Sequence, residues 1–192
     1  MAAKIYGICW HGRGGQGAKT AAAMVADVAL TQGKYSQGFP EYGPERMGAP
    51  MRGYTRISEK PITVHSSLEA ADAVVVFDDT LLDVVDVCDM LVEGGPVVIN
   101  TAQSAAEVTK SLKLKKGQKV HVIDATKIAI DEIGRPIPNT PMIGALMKVT
   151  GLLPVEAFAH DIEKKFGNKF GPKVVQGNIK ALKRAFDEVK AN

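Results

Sequence analysis

The stretch of this sequence best suited to chemistry is Gly12-Arg13-Gly14-Gly15-Gln16-Gly17. Glycines let the backbone turn sharply and approach another surface, because they carry no Cβ to clash. The free N–H groups at the start of a following helix favour an anion. The run follows the apolar stretch Ile5-Tyr6-Gly7-Ile8-Cys9-Trp10 and leads into an alanine-rich helical pattern from Ala18 to Leu30. Strand, glycine turn and helix open a nucleotide-type βαβ unit. Two phosphate-binding patterns fit it imperfectly. Gly12, Gly14 and Gly17 satisfy G-x-G-x-x-G, which also wants an acidic residue about 20 positions on to hold a ribose. Tyr35-Ser36-Gln37-Gly38-Phe39-Pro40 stands there, with no carboxylate before Glu41. Lys19 and Thr20 would complete a P-loop, but Ala18 sets them one residue late. A dinucleotide site and a tight turn with no ligand of its own both stay open.

Other residues could also carry chemistry. Pro40 to Pro50 holds three prolines and two glycines with Glu41, Tyr42, Glu45 and Arg46, and reads as a shaped loop lining an interface or a site. Arg52, Tyr54 and Arg56 alternate with Met51, Gly53, Thr55 and Ile57. Two arginines flanking a tyrosine could grip a phosphate or carboxylate, or form a solvated strand face. Asp78-Asp79-Thr80 follows the apolar run Ala73–Phe77. Paired aspartates can hold a metal or act as acid and base; capping a helix over Leu81 to Val92 is the reading preferred here. Thr140 is placed as an N-cap with Pro141 at the first helical position. Asn139 and Thr140, rigid and polar at a helix start, suit contact with an incoming group. Cys9 and Cys88 sit in apolar surroundings and read as buried thiols. No C-x-x-C occurs, which excludes a zinc ribbon or a thioredoxin-type site, and two thiols cannot hold a cubane cluster, which takes four. His121 reads as packed in its strand rather than catalytic.

The elements that would position these residues follow from periodicity. Strands are expected at Tyr35–Phe39 and at Met51–Ser58, with a turn at Ser58-Glu59-Lys60-Pro61 and a returning strand Ile62–His65 that makes an antiparallel hairpin. Further strands are expected at Ala73–Phe77, Pro96–Ile99 and Lys119–Ile123. Asn100-Thr101 is read as capping one helix, and Asp124 as starting another from Ala125 to Ile133. Two helices, Pro154–Phe166 and Val174–Val189, close the chain, the last with Val175, Ile179, Leu182, Phe186 and Val189 in one stripe. The fold class expected is α/β: a Rossmann-like three-layer sandwich with a mostly parallel sheet, an inserted antiparallel hairpin and a helical C-terminus. With 192 residues, one domain spanning 1–192 is the prior. A net charge of +3, with no basic run carrying interleaved aromatics, argues against nucleic acid. The start lacks a signal-peptide core, and no segment approaches the ~20 apolar residues of a membrane span. A cytoplasmic protein is therefore expected.

Three stretches together are more specific: His11-Gly12-Arg13-Gly14-Gly15-Gln16-Gly17, Phe39 through Pro50, and Ile137-Pro138-Asn139-Thr140-Pro141-Met142. In order and spacing, from Tyr6 to about Val189, the chain resembles the gamma subunit of the 2-oxoacid:ferredoxin oxidoreductases. The third stretch, continuing into Gly144-Ala145-Leu146 and Gly151-Leu152-Leu153-Pro154, is most like the pyruvate branch. The resemblance implies oxidative decarboxylation of a 2-oxoacid with coenzyme A to acyl-CoA and CO2, with ferredoxin reduced. It implies thiamine diphosphate, Mg and 4Fe-4S clusters on alpha, beta and delta-type partner subunits, and coenzyme A as cosubstrate. The family's thiamine–magnesium motif, Gly-Asp-Gly followed by Asn-Asn, is absent, so the isolated chain is expected to be inactive, with no catalytic residue or metal of its own. What remains for it is a covering role. Gly12, Gly14, Gly15, Gln16, Gly17, Glu41, Tyr42 and Glu45 would dock on the catalytic partners. Arg13, Arg46, Arg52, Asn139 and Thr140 would orient the coenzyme A side of the cleft; the arginines suit either phosphate or partner carboxylates. Two other readings stay open: a free-standing dinucleotide-binding oxidoreductase, and a ligand-free interaction module.

Overall fold

The computed structural model describes residues 4–41, 48–167 and 169–191. Strand β1 (Ile5–Arg13) runs into the glycine turn and helix α1 (Ala18–Thr31). Strands β2 (Tyr35–Pro40) and β3 (Pro50–Ser58) follow, then β4 (Ala73–Val76) and β5 (Pro96–Asn100). Short helix α2 (Ala105–Thr109), strand β6 (Lys119–Ile123) and helix α3 (Ala125–Ile133) lead to the helical end of the chain. That end comprises α4 (Asn139–Thr150), α5 (Val155–Gly167), α6 (Pro172–Glu188) and a two-residue strand β7 (Lys190–Ala191).

The seven strands form one mixed sheet in the order β2-β3-β1-β4-β5-β6-β7. β1, β4, β5 and β6 pair in parallel, whereas β3 pairs antiparallel with both β1 and β2. The continuous apolar runs of β4 and β5 are those of strands covered on both faces. On one face Ile8, Trp10, Val75 and Val98 pack beneath α1, α4 and α6. On the other, Cys9, Tyr54, Val74, Val76, Val97 and Ile99 pack beneath turns and α2.

Helix α4 is apolar on all sides and buried from Thr140 to Met147, as a helix enclosed by others must be. Its Gly144 has no space for a side chain: a Cβ there would lie 2.1 Å from the Leu182 carbonyl oxygen of α6. Gly177 of α6 is equally tight against α3, 2.4 Å from the Glu132 carbonyl. The stripe on α6 buries Val175, Ile179 and Leu182 and half-buries Phe186 and Val189, as its spacing predicts.

Three local expectations are corrected. Ile62–His65 forms no strand. Both edges of β3 are already taken, by β1 and β2, so a returning strand cannot pair with β3 to make the expected hairpin. The antiparallel pairs of the sheet are β1 with β3, β2 with β3 and β6 with β7. Leu81–Val92 is not a helix; only a 3-10 turn, Asp79–Asp83, forms. Asp86 accepts the Cys88 N–H and Asp89 the Met90 N–H, local bonds that compete with helical ones. Asn100 and Thr101 do not cap α2. Ser104 does, in a reciprocal capping box with Glu107, while Asn100 stays in β5 and bonds the Phe77 carbonyl and Thr126.

Candidate functional site

The glycine turn owes its shape to two left-handed residues, Gly15 at φ +97° and Gly17 at φ +91°. Gly12 is needed for a different reason: a Cβ would meet that of Ala18 at 3.0 Å. Helix α1 starts without a side-chain cap. Gln16 folds back over the turn, its Oε1 accepting the Arg13 N–H at 2.7 Å and its Nε2 donating to Asp78 Oδ2 at 2.7 Å.

Asp78 caps the 3-10 turn Asp79–Asp83 rather than a helix, accepting the Thr80 N–H. Its larger role is as the counter-charge of the glycine turn. Arg13 Nε donates to Asp78 Oδ2 at 3.2 Å, and the same guanidinium reaches Thr80 Oγ1 at 2.8 Å and the Gly48 carbonyl at 3.2 Å. Burial alone would raise the pKa of Asp78. Hydrogen bonds from Thr80 and Gln16, with the charge of Arg13, outweigh it and hold the carboxyl below its usual range. Beyond it lies a cleft of about 240 Å³ at the carboxyl ends of β4, β5 and β6, where Asp79, Asn100, Thr101, Asp124 and Thr126 face one another. This is the position of a ligand in an open α/β sheet, yet it is lined by carboxylates and offers an incoming phosphate repulsion. Glu41, the first carboxylate after β2, lies one strand further from β1 than a neighbouring second strand would put it, about 4.8 Å more, because β3 intervenes. It accepts instead from the Tyr54 hydroxyl at 2.8 Å.

Of the described residues assigned to the coenzyme A side, Arg13 belongs to the turn itself and one other is brought against it. Asn139 stands against Gly17, where an added Cβ would come within 3.1 Å of the Asn139 Cβ. Thr140 is not an N-cap and is wholly buried; Pro138 takes the cap position, and Thr140 Oγ1 donates to Asn178 Oδ1 of α6 at 2.9 Å. The close packing of α4 on α6 pulls its hydroxyl inward. Arg52 is committed to Asp89, Nη2 to Oδ2 3.0 Å. Burial opposes its charge, but Asp89 more than compensates. Tyr42, Glu45 and Arg46 lie outside the described residues.

The sequence reading missed a polar network on the second face of the sheet. Alternation along β1 puts Cys9, His11 and Arg13 on one side, and β3 sets Arg52, Tyr54 and Arg56 on the same side. Tyr54 and Arg56 are buried, so the solvated-face reading does not hold. His11 Nε2 lies 3.3 Å from Cys9 Sγ. Burial, then the charge of Arg52, lowers the His11 pKa to about 4. Burial pushes the Cys9 thiol up to about 12 and that of Cys88 up to about 11. A neutral imidazole and a protonated thiol form no nucleophilic pair near pH 7. The signal for this network was available in the alternation, but only with the β1–β3 pairing in hand. Among the described residues no group of three or more His, Cys, Asp or Glu could hold a metal ion, and no helix is long and apolar enough to cross a membrane.

Comparison with known proteins agrees over the whole chain. The profile of the pyruvate ferredoxin/flavodoxin oxidoreductase family matches residues 7–188. Pyruvate synthase subunit PorC of Thermotoga maritima is 50% identical over 192 residues, covering 100% of this chain and 98% of that protein. The pyruvate/ketoisovalerate oxidoreductases common subunit gamma of Thermococcus litoralis is 45% identical over 181 residues, 94% of this chain and 95% of that protein. The crystal structure of pyruvate oxidoreductase subunit PORC from Thermotoga maritima superposes with a TM-score of 0.87 at 46% identity, over 98% of this chain and 99% of that one.

Proposed function

The chain belongs to the pyruvate ferredoxin/flavodoxin oxidoreductase family, and on that footing we propose that it is the gamma subunit of an assembly that oxidatively decarboxylates a 2-oxoacid, pyruvate in the first instance, and passes the electrons to ferredoxin. The observation that carries this is likeness along the full length to gamma-type chains rather than to a fragment of one. The described residues do not fit thiamine diphosphate with its metal, or an iron–sulfur cluster: both thiols are buried and protonated, and no three or more His, Cys, Asp or Glu side chains among them come together to hold a cation. Alpha, beta and delta-type partners, in the cytoplasm, supply those groups. A relative named as common to pyruvate and ketoisovalerate enzymes supports placing the choice of 2-oxoacid on those partners as well.

Within this reading the glycine turn and Glu41 form a docking edge. The coenzyme A role fits the described residues less well. Arg13 and Arg52 are already paired with Asp78 and Asp89, and Thr140 is out of reach, so Asn139 is the described side chain best placed to meet an incoming group. The internal pairing leaves neither guanidinium free for a phosphate or for a partner carboxylate. The acidic cleft counts against a free-standing dinucleotide enzyme. The test is reconstitution. The full set of subunits is expected to reduce ferredoxin with pyruvate and coenzyme A, and the purified chain alone to do nothing. Turnover by the isolated chain, or a complete assembly indifferent to its removal, would reject the assignment.

A further inference from the structure

Among the described arginines, Arg135 is exposed and the others fall into two kinds. Arg13, Arg52 and Arg184 each pair with a carboxylate. Arg56 is more buried than any of them, 3% exposed, yet among the described residues it forms no ion pair. Among the described residues its guanidinium donates only to neutral oxygens: Gln37 Oε1 at 3.1 Å and the carbonyls of Val64, Ser66 and Ser67 at 3.5, 2.6 and 3.0 Å. The Phe39 ring lies 5.1 Å from it. Burial draws its pKa down, and no opposite charge restores it. Leaving an ionised group buried and unpaired is costly, so an anionic side chain arriving here gains more than it would at a surface arginine.

The surroundings state what could deliver that charge. A cavity of about 730 Å³ opens beside Arg56, walled by Phe39, Pro40 and Tyr54 and edged by Gln37, Glu41 and His65. A lone carboxylate would leave most of it to water, and its aromatic walls call for apolar bulk. β2 is also one of the two outer strands of the sheet, so one side of its backbone has no strand partner among the described residues. Ser36 and Gly38 turn toward α1; by alternation Tyr35, Gln37 and Phe39 stand on the cavity side. An open strand edge readily accepts a further strand. We propose that the edge of β2 docks an extended segment of a neighbouring subunit, which lays an Asp or Glu side chain into the cavity against Arg56. This rests on the reading of the chain as a subunit of a larger assembly.

The test titrates the full chain onto the purified assembly of its remaining subunits, reading Kd at low and high salt and amide exchange across β2. Gln37→Glu places a carboxylate where the amide now accepts from Arg56, neutralising it from within without changing shape. The melting temperature of this variant is expected to hold or rise, while its Kd weakens about tenfold or more and loses salt dependence. Gln37→Ala is expected to bind within about threefold of the parent, and the amides of Tyr35–Phe39 to become protected on assembly. Parental Kd in Gln37→Glu, equal weakening in Gln37→Ala, or unprotected β2 amides would each overturn the docking surface while leaving the subunit assignment standing. Failure of the unmodified chain to bind the other subunits would remove both.

Discussion

Asp78 lies 3.2 Å from Arg13 and neutralises it at the glycine turn, with Gln16 bonded to the same carboxylate oxygen. A motif that by sequence invites a phosphate is thus closed by an anion from its own chain. Asp78→Asn is expected to cost on the order of 1–3 kcal/mol, since it leaves Arg13 without a counter-charge. The denaturation midpoint in urea checks it. The sign with pH follows: the carboxyl is held below its ordinary range in the fold, so its contribution is full above about pH 4 and is lost as pH falls through the folded value. Acid unfolding of the variant should show a shallower limb there.

His11 governs a different window. Its pKa falls to about 4 in the fold, so the unfolded chain binds more protons between about pH 6.5 and pH 4. Stability is fully present above the upper value and declines as pH drops toward the lower one. His11→Gln is expected to flatten that decline, which urea titrations at pH 7 and pH 5 would reveal.

Gly144 sets how closely α4 and α6 can pack. A methyl group added there would overlap the Leu182 carbonyl, a backbone atom that cannot swing aside. Gly144→Ala is expected to destabilise the chain by about 3 kcal/mol or more, read as a lost or strongly lowered melting transition. Gly15→Ala meets open space and should cost only the left-handed backbone, about 1–2 kcal/mol.

Arg52 separates docking from coenzyme A binding. Because its guanidinium is held by Asp89, Arg52→Met in the reconstituted assembly is expected to leave the KM for coenzyme A within about twofold. The cost in chain stability should be about 1 kcal/mol or less, since the pair is partly exposed. A rise in KM alone would assign it to phosphate.

What the sequence made legible was local. The glycine turn, α1, the alternation along Met51–Ser58, the start of α3 at Asp124 and the stripe on α6 all follow from spacing within one element. The three motif stretches carried the family for the same reason. Relations between distant segments were not legible. Nothing near Ile62 announces that both edges of β3 are occupied. Nothing near Thr140 announces Asn178, and the Arg13–Asp78 pair spans 65 positions. The valines and aspartates after Leu81 keep an amphipathic pattern, but Asp86 and Asp89 accept the nearby Cys88 and Met90 N–H groups instead.

The placement of β3 between β1 and β2 also dictates an order of events. Until residue 58 is available, the two earlier strands flank a gap one strand wide and have no ladder between them. A chain that ends at residue forty therefore lacks the strand through which β1 and β2 are joined, and neither of their ladders to β3 can form before residues 50–58 exist.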